Sequence, residues 1–457
     1  MTSIPVRLEG LLGGDRVRTS ENDLQNFAVS GRTPLAVLRP QSVDEVAESV
    51  RFATSEKLAV VCCGSRSKLE MGMPPERYDL ALDMTGLHEI AHYDPADLTL
   101  SVDAGKPLMA LQKVLEEKRQ FLPVAVPCLE GCTIGGTIAS NIDCILRLQY
   151  GTVRDFLIGA EFLDGKGQLC RSGGRVVKNV TGYDLHKLLI GSFGTLAAIT
   201  RLNFRTFPLP ELQRGHLASF SRLEDTLTFR ASLLSSGLPL ANLECISREF
   251  SSQLVELEKA TLPSGLGSQH AHGWNVYSAF EGNEAVIRRI EQELHKRAAE
   301  AKAEFSEILN DALYQQLSKA LRESFDWLQR AAPGVALLRI VLPSFTSAGI
   351  ADLHNPLPSP ASRKILLLRP CGVVYLALAA EREATTGMET LVSTVRELFS
   401  RVNQRGGSVT LLHAPLRLKE KVNTWGSLRQ DFALMQRVKR AFDPQNIFAP
   451  GRLVGGI

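Results

Sequence analysis

Between residues 130 and 206 the chain reads EGCTIGGTIASN, YGTVRD, DGKG, SGGR, TGYD and IGSFGT in succession, with glycine at irregular spacing. A packed helix or strand does not need so many. Backbone of this kind turns sharply or comes close to something else. No fixed period marks a repeat array, and the absence of a Gly-X-Y rhythm excludes a collagen. The fold must therefore hold a long stretch of irregular backbone between regular elements.

Those elements read as mixed α and β. Ser42 and Glu45 form an S-x-x-E capping box, followed by Val43, Val46, Ala47 and Val50 at helical spacing. The apolar run Leu58 to Cys63 predicts a buried strand that ends in the small polar loop GSRSK at 64–68. Leu98, Leu100 and Val102 alternate as a half-buried strand, and Leu108, Leu111 and Leu115 mark the next helix. A proline-bearing stretch, FPLPEL at 207–212, predicts a domain boundary. Beyond it Trp274 to Phe280, Val335 to Leu342 and Lys364 to Leu368 read as strands. Helices are marked by Val286, Ile287, Ile290 and Leu294, and by Leu313, Leu317, Leu321 and Leu328. The segment 347–363 has the composition of an exposed loop, and a last helix ends at Asp443 and Pro444.

A chain of 457 residues, 44% apolar and 22% charged, has ample core, and its net charge of +3 leaves no basic footprint for nucleic acid. No apolar stretch approaches the roughly 18 to 20 residues of a membrane span, so no transmembrane segment is expected. The N-terminus lacks a basic start followed by an apolar run, so no secretory signal is read and a cytoplasmic protein is expected. Eight cysteines without a CxxC pair read as small buried thiols rather than iron–sulfur or redox ligands. GxSxG, GxxxxGK[ST], HExxH and GxGxxG are all missing, so the sequence supports no serine hydrolase, P-loop NTPase, zincin or Rossmann reading. His270 and His272 in QHAHGW form the one tight histidine cluster and read as solvated loop residues; no metal site is expected.

The blocks GSRSKLEMG (64–72), CTIGGTIASN (132–141), RLQYGTVRDFLIGAEFL (147–163), the segment 172–210 and VKRAFDPQNIFAPGRL near the end stand in one order. In that order they resemble the FAD-binding domain of the vanillyl-alcohol oxidase / p-cresol methylhydroxylase superfamily, in the branch that contains the FAD-binding subunit of glycolate oxidase. The resemblance implies an α+β fold: a two-lobed PCMH-type FAD-binding domain, an α+β cap and a C-terminal segment that returns to the FAD domain. The expected boundaries are an N-terminal extension at 1–33, the FAD domain at 34–210, the cap at 211–405 and the returning segment at 406–457.

The diphosphate of FAD carries two negative charges, which backbone N–H groups can hold where small residues let the chain approach. The resemblance places Cys63, Gly64, Ser65, Arg66, Ser67 and Lys68 there, with Arg66 and Lys68 as counter-charges. It lays Thr133, Gly135, Gly136, Ser140 and Asn141 along the diphosphate and flavin ring. Tyr150 and Gly151 belong to YGTVRD, whose Arg154 and Asp155 read equally as a turn with the two side chains paired. Lys178, Asn179, Gly182 and Tyr183 match KNxxGYDL, Gly194 and Thr195 match GSxGTL, and Ile199 falls where the adenine half packs. For Tyr183 and Ile199 core packing is the alternative. Two departures stand out: Cys62 and Cys63 replace expected glycines, and Ile142, Asp143, Cys144 and Ile145 replace small residues after Asn141.

FAD is expected to bind non-covalently, because no histidine lies between His92 and His186. The HxGDGN and EHG blocks of members that oxidise 2-hydroxy acids are missing, and no catalytic residue is assigned. The resemblance then implies a relay subunit, acting on a small 2-hydroxy acid with a catalytic FAD subunit and an iron–sulfur subunit. Such a complex could sit at the periphery of the inner membrane. The rivals are a self-sufficient dehydrogenase using a cap residue such as His413 or Tyr277, and a flavin-free scaffold.

Overall fold

The computed structural model describes all residues except 1–2, 177–181, 259–272, 332–333, 345, 347–348, 351–352, 354–361 and 381–384. The QHAHGW histidines, Lys178, Asn179 and most of the 347–363 loop lie outside the described residues. Three larger sheets and a two-stranded one, Gln120–Phe121 with Phe207–Pro208, organise the described residues. The first is mainly parallel, in the order Val17–Arg18, Ala36–Leu38, Leu80–Asp83, Val60–Cys63. Its crossover helix Val43–Glu56 starts on Ser42, whose side chain accepts the Glu45 N–H, and buries Val46, Ala47, Val50 and Ala53. Glu45 turns back to Gln41 N–H rather than to Ser42, which completes the cap one residue earlier than the sequence implied.

The expected extension at 1–33 is part of this lobe. Its strand Val17–Arg18 pairs with Ala36–Leu38, and Leu8, on helix Ile4–Leu12, is buried with Val46 and Val50. A second, antiparallel sheet runs Ile90–Asp94, Thr99–Asp103, Ala198–Arg205, Leu157–Leu163, Leu169–Gly173. The helix Leu108–Glu116 lays Leu108, Leu111 and Leu115 on this sheet with no exposure, each stabilising by about 1.5 to 3 kcal/mol.

The chain crosses to the cap at Leu212, where the first strand of an eight-stranded antiparallel sheet begins. That sheet ends on Ser408–His413, which pairs with Val335–Val341. The cap therefore runs past the expected boundary at 405, because a strand with Val409 and Leu411 pointing inward completes its edge. After His413 the chain returns. Val60 N–H donates to Ile447 and Ala449 N–H to Val60 O, at 2.7 and 2.8 Å, extending the first sheet by one short bridge. Lys439 anchors the return: its ammonium, buried, donates to Thr195 O, Phe448 O and the Asp443 carboxylate at 2.6, 2.9 and 2.7 Å.

Candidate functional site

The strand Val60–Cys63 runs directly into the loop at 64–70, and helix Ile134–Ser140 and strand Ala198–Arg205 close the space beside it. Together they form a cleft, half open to solvent, that is also lined by Arg452 and Phe193. The loop is turned by Arg66, whose φ of +68° lies in the left-handed region. The backbone N–H groups of Ser65, Arg66, Ser67 and Lys68 find no acceptor among the described residues. Successive N–H groups around a left-handed residue make a concave receptor for an anion.

The helix Ile134–Ser140 contributes differently. Ile134 N–H donates to Lys106 O, Gly135 N–H to Ala104 O and Gly136 N–H to Thr133 Oγ1. Its first-turn donors are spent inside the protein. A Cβ on Gly135 would sit 2.6 Å from Ala104 Cβ, and one on Gly64 would sit 2.1 Å from Thr133 Oγ1. The close approach these two glycines allow is between parts of this chain. Gly136 differs, since its Cβ would meet only Thr133 Oγ1 at 3.0 Å and otherwise open space.

From the C-terminal segment Arg452 reaches the same cleft, 3% exposed. Its Nη2 donates to Leu69 O and Met71 O, while Lys419, also buried, donates to Glu70 O between them. Arg452 Nε has no partner among the described residues, and no carboxylate there lies within ion-pair distance of it. Burial pulls the pKa of both cations below its usual range.

A second, smaller cavity shares Ser67 and Lys68 with the first and opens toward the cap, lined there by Asp326, Leu337, Tyr375 and Leu412. Pro127, Cys128 and Ile142 form its FAD-domain wall. Cys128 N–H donates to Glu323 and its thiol to Asp326, at 2.7 and 3.1 Å. Burial, with Asp326 adding to it, pushes the Cys128 thiol up to about 12. Beside this cavity Asp143 is held from three directions. Arg339 Nε and Arg147 Nη1 each donate to its carboxylate at 3.0 Å, Tyr375 donates at 3.4 Å, and Arg369 Nη1 donates to Asp143 O at 3.3 Å. Those arginines hold the Asp143 carboxyl below its usual range although burial opposes them.

Two family patterns match the chain: an FAD binding domain over residues 34–173 and the C-terminal domain of FAD linked oxidases over residues 372–453. The glycolate oxidase subunit GlcD of Bacillus subtilis is 25% identical over 422 residues, 92% of this chain and 89% of that protein. The glycolate oxidase subunit GlcE of Escherichia coli is 34% identical over 197 residues, 43% of this chain and 55% of its own length. The crystal structure of p-cresol methylhydroxylase with substrate bound superposes with a TM-score of 0.77 at 17% identity, covering 98% of this chain and 95% of the other. This chain is an FAD-linked oxidoreductase with the fold of p-cresol methylhydroxylase.

Its cofactor is FAD. The residues present fit that group: the loop offers undirected N–H donors, and a buried guanidinium beside it has no carboxylate within ion-pair distance among the described residues. Of the residues expected to bind the cofactor, Cys63, Gly64, Ser65, Arg66, Ser67, Lys68, Thr133, Gly135, Gly136, Ser140, Gly194 and Ile199 line this cleft. The sequence reading missed Phe193, Ala197, Met84 and Arg452 there.

The remaining expected residues sit elsewhere. Tyr150 packs edge-on against Phe121 and Phe207 and donates to Glu281 of the cap, so it joins the two domains. Gly151 turns the chain beside Asp155, whose carboxylate caps the following helix through Thr152. Arg154 does not pair with Asp155 and instead points to Lys187 O at 3.5 Å. Asn141 ends the helix Ile134–Ser140, Thr195 is core that receives Lys439, and Gly182 and Tyr183 are exposed, Tyr183 by 89%.

Cys63 packs among Val37, Val61, Ala81 and Ala449, and burial pushes its thiol up to about 12, so it stays neutral near pH 7. Neither His413 nor Tyr277 lines either cavity; Tyr277 is wholly buried and bonded to Ser318 at 2.7 Å. Among the described residues no helix is long and apolar enough to cross a membrane.

Proposed function

We propose that this flavoprotein takes part in the oxidation of a small 2-hydroxy acid as an electron-relay subunit of a glycolate oxidase-like complex, with a catalytic flavoprotein and an iron–sulfur protein as partners. The similarity to glycolate oxidase subunits and to a D-2-hydroxyglutarate dehydrogenase of Xanthomonas citri pv. viticola, 28% identical over 461 residues, supports the substrate class. Non-covalent FAD would lie with its diphosphate on the loop 64–68 and its remaining length past Gly136 and Ser140 toward Ile199. When bound, the flavin supplies a hydride and electron acceptor.

The observation that carries the relay reading is the composition of the cap-side cavity. Oxidising a 2-hydroxy acid removes a hydride from carbon and a proton from the hydroxyl, and a base within hydrogen-bond reach contributes about 10²- to 10⁴-fold. No histidine lines the cavity, and its one carboxylate, Asp326, already accepts from Cys128. The nearby Arg147 and Arg339 are committed to Asp143 and so poorly placed to capture a substrate carboxylate. Anaerobic mixing of the FAD-loaded chain with glycolate or D-lactate should leave the flavin oxidised until the partner flavoprotein is added. Rapid bleaching by the chain alone would establish the self-sufficient dehydrogenase instead.

A further inference from the structure

The cleft contains a buried cation with no carboxylate at ion-pair distance among the described residues. Taking a guanidinium out of water costs several kcal/mol, and buried charges are ordinarily paired. Arg452 is 3% exposed, donates to two carbonyls, feels the Glu70 carboxylate only from beyond ion-pair distance, and leaves Nε without a partner among the described residues. We propose that Arg452 is a counter-charge of the FAD diphosphate and that, with Lys419, it sets the loop that receives it, a reading that rests on FAD occupying this cleft.

Three successive carbonyls make the second half of the argument. Leu69 O and Met71 O accept from Arg452 and Glu70 O from Lys419, so two buried cations of the C-terminal segment hold one flank of the loop. The N–H groups of Ser65 to Lys68 on the preceding flank are left to face a ligand. Arg452 is itself fixed to the strand that feeds the loop, because Ile447 and Ala449 are bonded to Val60. Donors from residues 65–68 and a cation from residue 452 thus converge on one cleft. Diphosphate binding and docking of the C-terminus become one event.

The test is FAD affinity of the apoprotein, with ADP and adenosine as competitors that differ in the diphosphate. Arg452→Gln should weaken FAD and ADP on the order of 10- to 100-fold, the size of one or two charge-assisted hydrogen bonds, and leave adenosine unchanged. Arg452→Lys should restore part of the loss. Wild-type FAD affinity in Arg452→Gln overturns the proposal, and so does an equal loss of ADP and adenosine with no rescue by lysine, which would mark a purely structural role. Should Arg452→Gln not fold, Lys419→Met takes its place: it should weaken FAD several-fold through the loop alone, and unchanged affinity there overturns the clamp. Gly136→Val separates the premise from the inference, since it should lose FAD wherever Arg452 acts. If Gly136→Val keeps FAD, the placement of the cofactor fails; if it loses FAD while Arg452→Gln does not, only the role of Arg452 fails.

Discussion

The two walls around residues 64–71 and 142–147 are both rich in charge, yet they differ in how completely the protein pairs it. At the first, four backbone N–H groups and one buried arginine have no anion among the described residues. At the second, the Asp143 carboxylate receives Arg147, Arg339 and Tyr375, and Arg369 spans to Asp143 O and the buried Glu244. Burial in low dielectric penalises an unmatched polar group by a few kcal/mol, a cost that falls here on Arg452 and not on the loop N–H groups, since Arg66 and Ser67 are exposed. The first wall thus keeps donors turned to the cleft, while the second spends its charges on joining the cap to the rest of the chain.

The comparison predicts separable phenotypes. The largest effect belongs to Gly136→Val, whose side chain enters the cleft while meeting only Thr133 Oγ1 within the protein. FAD affinity should fall more than about 100-fold with thermal stability nearly kept, because the added methyls fill space the ligand needs. Flavin absorbance after gel filtration reads the first and calorimetry the second; full occupancy would remove the cleft from consideration.

Next comes Asp143→Ala, which strips the shared anion from Arg147 and Arg339. Breaking a fully buried pair from one side costs about 3 to 5 kcal/mol; with both arginines roughly a third exposed the loss here should be smaller, about 1 to 3 kcal/mol, read by urea unfolding as a destabilised contact between cap and FAD domain. FAD affinity should change by less than about threefold. A loss of flavin as large as that of Arg452→Gln would erase the distinction between the two walls.

The smallest effect on FAD lies in the cap, away from both. His216 is wholly buried on the strand Leu212–Phe220, bonded through Nε2 to Ser306 at 2.9 Å, with Nδ1 unpartnered among the described residues. Burial, with His295 nearby, lowers its pKa to about 3. Its folded value is thus below that of the unfolded chain, about 6.5, so the unfolded state binds one more proton between these values. Stability is kept above pH 6.5 and lost as pH falls toward 3, with a contribution of about 1.4 kcal/mol per pH unit to the slope. Replacing His216 by Asn should remove that increment from the stability curve while FAD affinity stays level. An unchanged slope would show that His216 titrates as a solvated residue.

Much of the scaffold was readable before any coordinates. Leu108, Leu111 and Leu115 at helical spacing lie on one buried helix face, and Val335 to Val341 is the strand its composition announced. Val286 is an exception on its helix, half-exposed while Ile287, Ile290 and Leu294 are buried, because a stripe only about 100° wide faces the sheet. The glycine and small-residue blocks pointed to the loop and helix that line the cleft. They did not separate Gly64 and Gly135, which admit other parts of the chain, from Gly136, which faces open space.

By itself the sequence determined the helix and strand periods, the small-residue loops and the absence of a recognisable base, because each is written in neighbouring residues. The partners of Asp143 and Arg452 were decided only by the tertiary structure. Asp143 read as a departure from the family pattern until Arg339 and Tyr375 arrived from 196 and 232 residues away. Arg452 read only as one residue of the terminal block VKRAFDPQNIFAPGRL until the returning chain set it against carbonyls 383 and 381 residues earlier. Charge pairing depends on distance in space and on the exclusion of water, and neither is encoded by spacing along the chain.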